Sequence, residues 1–352
     1  MADLVVAGAG MAGLAAAARA RELGASVVVY EKGDRAGGSM LLSSGFIWRH
    51  REFDDFRAEC PDGDPELQRL VHERLDSALA WLEELGAPVL ERETGNPLTS
   101  GWKFQTQGLT DALMSRAGDV RLGEPLRELP DDGTPVVLAT GGFQCDRELL
   151  REHVTPEADH VLIRSNPWSA GDGLRLGVAA GAALTGGMGE FYGRNMPAPP
   201  ANIAPEDYVP LAQLYARYAR VENAHGEGFE TRTWSEIDVV QWTARQPGAR
   251  ARYVVADSAL GERVRERTVA DMVAAAERAG APVERRDGTT TVEVAAAVTT
   301  TLGGLRIDPA GRAAEGVFAA GADAGGISTG GYSSGLAAAL VFGRIAAESA
   351  LA

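Results

Sequence analysis

Apolar and polar positions along this chain change register from segment to segment. Leu4-Val5-Val6 is a short unbroken apolar run that predicts a buried strand. Leu14 to Leu23 is alanine-rich with helical spacing, Gly24 predicts its end, and Val27–Tyr30 predicts a second strand. Gly8-x-Gly10-x-x-Gly13 stands between the first strand and the helix, so residues 3–31 read as strand, turn, helix, strand. Farther on, Leu67, Leu70, Val71, Leu75, Leu79 and Leu82 mark a helix over 64–86, with His72 on its surface and Gly86 as its stop. Residues 135–143, PVVLATGGF, predict a buried strand ending in Ala139-Thr140-Gly141-Gly142. Residues 166–184 predict an alanine-rich helix opening at Gly171-Asp172-Gly173. Near the end, GVFAAGADAGG (316–326) predicts one more buried strand, Val317–Ala320, followed by glycines and an acid.

From Phe191 the texture shifts to proline, aromatics and arginine, and at TTTLGGLRID (299–308) the glycine-rich style resumes. An inserted domain over 191–298 is expected, within a discontinuous domain made of 1–190 and 299–352. A chain of 352 residues has room for both.

The opening unit carries the first chemistry. Gly8 suits a tight turn, Gly10 lets a pyrophosphate approach the backbone, and Gly13 allows the helix to pack on the strand. The helix start at Met11 and Ala12 offers N–H groups and partial positive charge to phosphates. Glu31, at the tip of the second strand, is placed to accept from a ribose 2′-hydroxyl, which disfavours a phosphorylated ribose. Lys32 follows it, then Gly37-Gly38-Ser39 and Ser43-Ser44-Gly45. Asp172 has two readings, a cap for its own helix and a cofactor contact.

Charge and cysteines narrow the classes. The formal charge is -15 with no basic stripe, which argues against nucleic acid as a partner. Cys60 and Cys145 have neither metal-type spacing nor a disulfide framework, as expected of free thiols in a reducing compartment. The apolar start lacks the basic flank of a signal peptide, having Asp3 before it, and no run is long enough to span a membrane. A cytoplasmic, unprocessed chain without membrane partner is expected.

The ordered series Gly8-x-Gly10-x-x-Gly13 with Glu31, Gly37-Gly38-Ser39, LATGG, AGDGLRLGVAAGA, TLGGLRID, GVFAAGAD and SSGLAAALVFGRIA resembles the FAD-dependent fumarate reductase/succinate dehydrogenase flavoprotein superfamily. That superfamily includes the 3-ketosteroid Δ1-dehydrogenases, and the resemblance is weakest over the inserted part. It implies an α/β fold, a Rossmann-like FAD-binding domain of the glutathione-reductase type with an inserted α+β capping domain. It also implies one FAD held by both chain ends. The first turn takes the pyrophosphate, Ala139, Thr140 and Gly141 lie against the cofactor, and Asp323, after Gly321, reaches the ribityl chain. Ser334, Gly335 and Leu336 open a helix toward the flavin N1–C2=O edge, where charge gathers on reduction.

Departures from the resemblance matter as much. Gly38 stands where members with covalent flavin have a histidine, so FAD without a covalent link is expected. Thr300, Glu236 and Gly330-Gly331 occupy places where dicarboxylate-reducing members carry a histidine and two arginines, by gapless counting, so fumarate is an unexpected substrate. The ketosteroid-dehydrogenase branch uses tyrosines near the flavin. Tyr332 is the catalytic candidate, with a packing role as its alternative, and Tyr192, Tyr215 and Tyr218 are further tyrosines of the inserted part. The expected function is hydride transfer between flavin N5 and a carbon beside an electron-withdrawing group of a small-molecule substrate, with an unidentified electron acceptor or donor. Two alternatives stay open: a flavin-binding subunit without turnover, and a flavin oxidase or hydroxylase.

Overall fold

The computed structural model describes residues 2–352. The chain forms two compact units. The first comprises the N-terminal stretch to Asp146, Asn166–Glu190 and Thr301–Ala352; the second comprises Arg147–Ser165 and Phe191–Thr300.

The first unit is built on a six-stranded sheet. Its order is Arg312–Ala314, Val317–Ala319, Val136–Leu138, Leu4–Ala7 (β1), Val27–Glu31 (β2) and Asp119–Leu122. All neighbours are parallel except the edge strand Arg312–Ala314. β1 is buried along its whole length, as the centre of a parallel sheet covered on both faces must be. The helix Met11–Glu22 (α1) is almost entirely buried, and its alanines allow close approach. It packs against the last helix, Gly335–Ala350: a Cβ on Gly343 would lie 2.4 Å from the Ala12 carbonyl oxygen, so only glycine fits at that crossing. The two ends of the chain thus share one core. Pro65–Glu84 is capped by Asp64, whose carboxylate accepts from the Glu66 and Leu67 N–H groups (2.8 and 3.2 Å), and it buries Leu67, Val71, Leu75, Leu79 and Leu82. A three-stranded antiparallel sheet, Phe46–His50, Thr99–Phe104 and Val89–Glu91, completes this unit.

The second unit centres on the long strand Thr289–Thr301. Arg250–Ala256 and Val283–Arg286 flank one half, and Leu162–Ile163 and Phe191–Pro197 pair with it farther along. Tyr215, Val221, Tyr253, Val269, Met272 and Val292 form its core. Residues 147–165, placed with the discontinuous domain from the sequence, pack here instead. Leu162 and Ile163 pair with Ala297 and Val298, the Thr155 hydroxyl donates to Ala244 O (2.7 Å), and Gly248 N–H donates to Glu157 (3.0 Å). Among the described residues no helix is long and apolar enough to cross a membrane, and no cluster of His, Cys, Asp or Glu is arranged to hold a metal ion.

Candidate cofactor site

β1 hands the chain to α1 through a turn whose glycines differ in what demands them. Gly8 has φ +102°, and a Cβ there would sit 2.2 Å from the Ala139 carbonyl oxygen. A Cβ on Gly13 would lie 1.9 Å from Gly8 O. Both are therefore required by the protein's own packing. Gly10 is not: its φ of -83° suits any residue, and a Cβ there meets nothing within 4 Å. It is the N-cap of α1 and offers no side chain, so the N–H groups that open the helix at Met11 and Ala12 receive no side-chain cap. Gly37 N–H donates to Ala9 O (2.8 Å), which brings Gly38 across from Gly10, 3.4 Å from Gly10 Cα to a Cβ built on Gly38. Gly321, at φ +67°, places its missing Cβ 3.1 Å from Ala12 Cβ. Residues from both ends of the chain converge on the opening of α1.

Several side chains from the sequence reading are used in ways the sequence does not display. Glu31 is buried, and its carboxylate accepts from Ala9 N–H (2.7 Å) and Gly33 N–H (2.6 Å), bracing the glycine turn from below. Lys32 pairs with Asp172 at 2.9 Å, and Asp172 makes no cap bond to its own helix, whose N-cap is Gly171. Ser39 Oγ accepts from Asn166 Nδ2 (2.7 Å). Ser43 Oγ donates to Met40 O and accepts from Gly45 N–H (2.7 and 3.1 Å), Ser44 is exposed, and Gly45 is forced by Phe104 O, 2.2 Å from its missing Cβ.

Asp323 requires a correction. A ribityl contact needs an accessible carboxylate, and this one is 1% exposed. It accepts from the Thr140 N–H and hydroxyl and from Gly142 N–H (3.1 Å), while Gly173 N–H donates to Thr140 Oγ1 (2.9 Å). Burial raises its pKa, although the bonds from Thr140 and Gly142 oppose that. Asp323 locks the turn Ala139–Gly142 to the strand Val317–Ala319; Gly141, at φ +99°, faces Ser169 in the same turn.

The last helix repeats the logic of α1. Ser334 is its N-cap, accepting from Ala337 N–H (3.3 Å), and Gly335 is exposed with nothing within 4 Å of a Cβ. Leu336 is partly exposed beside it. Just upstream, the Ser333 and Thr329 hydroxyls are buried without a hydrogen-bond partner. Neither was singled out from sequence; the doubled serine before the helix was the available signal. Two open glycines at two helix N-termini, with an orphaned hydroxyl beside one, suit an anionic dinucleotide whose phosphates and ring oxygen take the N–H groups. The residues present fit such a group. Tyr332 is partly buried, with its ring edge-on to Trp48 (6.1 Å between centroids); Trp48 in turn meets His50 (5.5 Å), which stacks on Phe56 (5.4 Å).

In the second unit the inserted-part tyrosines separate clearly. Tyr215 is fully buried against Tyr253 and is a core residue; burial pushes its hydroxyl pKa up. Tyr218 is partly buried at the edge of that core. Tyr192 is different. Burial raises its pKa, but Arg194, Arg164 and Arg265 together bring it below the ordinary value. Tyr192 and Arg194 lie two apart on the strand Phe191–Pro197 and so share a face, with the guanidinium 5.0 Å from the ring. Arg164 is buried, donating to Tyr208 O (2.8 Å) and to the Thr299 hydroxyl (2.9 Å). Glu236 is buried with left-handed backbone (φ +57°), and burial holds its carboxyl above the usual range.

Comparison with known proteins adds the following. The family described as "FAD binding domain" matches residues 3–121 and 131–336. The fumarate reductase (cytochrome) of Shewanella frigidimarina is 25% identical over 232 residues, covering 52% of this chain and 40% of the relative. The chain therefore matches well under two thirds of that relative's length. The open conformation of a flavocytochrome c3 fumarate reductase superposes with a TM-score of 0.71 at 21% identity, covering 99% of this chain and 78% of the other. The 3-ketosteroid-delta4-(5alpha)-dehydrogenase from Rhodococcus jostii RHA1, in complex with 4-androstene-3,17-dione, superposes with a TM-score of 0.71 at 20% identity, covering 100% and 97%. Both superpositions speak for the fold.

Proposed function

Because this chain belongs to the FAD binding domain family, we propose that it is an oxidoreductase working on a carbon–carbon bond beside a carbonyl group. Hydride would pass between the flavin and the β-carbon, and a proton would leave or join the α-carbon. The observation that carries the reading is the pair of open glycines, Gly10 and Gly335, at the starts of two helices packed side by side.

When bound, FAD supplies the ring that accepts or gives the hydride. The chain's own residues do the rest. The opening of α1 holds the pyrophosphate, and Gly10 keeps its approach clear. Glu31 positions that turn through Ala9 and Gly33, and the acceptor capacity left on its carboxylate would take the adenosine ribose. The start of the last helix stabilises charge at the flavin's pyrimidine edge. FAD is held without a covalent link, since Gly38 offers no side chain to attach it.

For the proton, Tyr332 is the candidate, and its hydroxyl would hold or deliver it. A neutral carbonyl substrate fits better than fumarate, because Thr300, Glu236 and Gly330 bring no cationic side chain of their own to the places where a gapless count expects one. A reducing cytoplasmic setting belongs to the same proposal, with Cys60 and Cys145 in no disulfide.

One experiment addresses both levels. The purified protein should be yellow, and acid or heat should release FAD into the supernatant. Dithionite-reduced protein should then be reoxidised by a cyclic α,β-unsaturated ketone and not by fumarate. Flavin retained in the pellet would overturn the non-covalent assignment. Fast reoxidation by fumarate would overturn the substrate class. The flavin-binding subunit without turnover is the second reading, favoured by the short match to the curated relative; reoxidation by neither compound would support it.

A further inference from the structure

A groove on the first unit lies between the helix Pro65–Glu84 and the last helix, beginning at Val341, more than one turn past that helix's opening. It has a volume of about 240 Å³ and is lined by Arg74, Ser77, Ala78, Val341, Arg344, Ile345 and Glu348. Each helix contributes an arginine and aliphatic surface to it.

The charges around it do not balance. Glu348 is taken by Arg19 Nε (2.8 Å) and by Arg74 (3.4 Å). Glu22 is taken by Arg19 (3.1 Å) and by the Trp81 indole N–H (2.7 Å). Arg344 is left over. It makes no ion pair or hydrogen bond among the described residues, and its Nε is buried with no acceptor. Its guanidinium lies over Trp81, 4.8 Å from the ring centroid, which fixes the group without neutralising it. Burial lowers its pKa, the direction expected of a cation short of counter-charge. Three arginines thus face two glutamates, in a chain whose net charge is -15. A half-buried guanidinium without counter-charge costs free energy, which an anion on its terminal nitrogens would offset.

We propose that this groove binds a small aliphatic carboxylate, its oxygens on Arg344 and Arg74 and its chain against Ala78, Val341 and Ile345. This site is independent of the flavin reading, and its test does not use turnover.

Hexanoate, titrated calorimetrically into the FAD-loaded protein, is the probe, with inorganic phosphate in a parallel arm. Hexanoate should bind more tightly than phosphate, and Arg344→Met should weaken it by about tenfold or more, the worth of a hydrogen bond to a charged group. Ser77→Asp, which puts a negative charge at the rim and leaves Arg344 on Trp81, should do the same if Arg344→Met fails to fold. FAD content of each variant checks that the unit is intact. No hexanoate binding to the parent protein, equal affinity in parent and variants, or phosphate binding as tightly as hexanoate would each overturn the proposal.

Discussion

Gly8 and Gly10 stand two residues apart and would fail for opposite reasons. Gly8→Ala puts a Cβ into Ala139 O at a backbone angle that L-residues avoid, so it should destabilise the apoprotein by about 2 kcal/mol or more. Gly10→Ala meets no protein atom, so the apoprotein should stay within about 0.5 kcal/mol of the parent while FAD affinity falls. Urea unfolding of both apoproteins and FAD titration separate the two effects. A Gly10→Ala protein that retains FAD as well as the parent would remove the pyrophosphate from that turn. Tyr332→Phe keeps the ring against Trp48 and removes only the hydroxyl. Flavin reduction by a substrate should slow by roughly a hundredfold, with FAD content unchanged. A variant that reduces its flavin at the parent rate would make Tyr332 a packing residue.

At the scale of elements, the crossing of α1 and the last helix decides whether their openings lie side by side. Gly343→Ala places a methyl 2.4 Å from Ala12 O, and the helices must part. A loss of about 1–3 kcal/mol is expected, together with weaker FAD retention, because Ala12 belongs to the opening of α1. Urea midpoints and flavin content of the variant check it. The elements themselves were largely legible. β1, α1, β2, the helix after Asp64 and the strand at Val317 follow from period and glycine stops, since each is local. What local pattern could not supply was partnership. An acid after a glycine turn looks the same whether it meets a ligand or braces a loop, and Asp323 is committed to bracing by Thr140, 183 positions away. The stretch 147–165 shows no shift of composition, and its place is set by pairing with Ala297 and Val298. Tyr192 looked like its fellow tyrosines until Arg164 and Arg265 were brought beside it by the fold.

For the whole molecule, buried titratable groups set how stability changes with pH. His50 is 2% exposed, and burial lowers its pKa from 6.5 to about 4, with Asp55 opposing the shift and His72 adding to it. Between those values the unfolded chain binds a proton that the folded chain refuses. The contribution of neutral His50 is therefore complete above about pH 6.5 and is lost as pH falls toward about 4. The loss is on the order of 3 kcal/mol. Urea unfolding at pH 7 and pH 4.5 should show it, and His50→Gln should flatten the difference. An equal acid loss in that variant would move the cause to other groups. The shared core of the chain's ends has a consequence for synthesis. The ribosome releases β1 and α1 long before it makes the face that α1 packs against, around Gly343. Until then the nascent protein carries an unmatched apolar helix and only one of the two glycine openings. Flavin capture must wait until that helix has been made, so the newborn chain depends on chaperoning or slow collapse, and products that stop short of it emerge colourless.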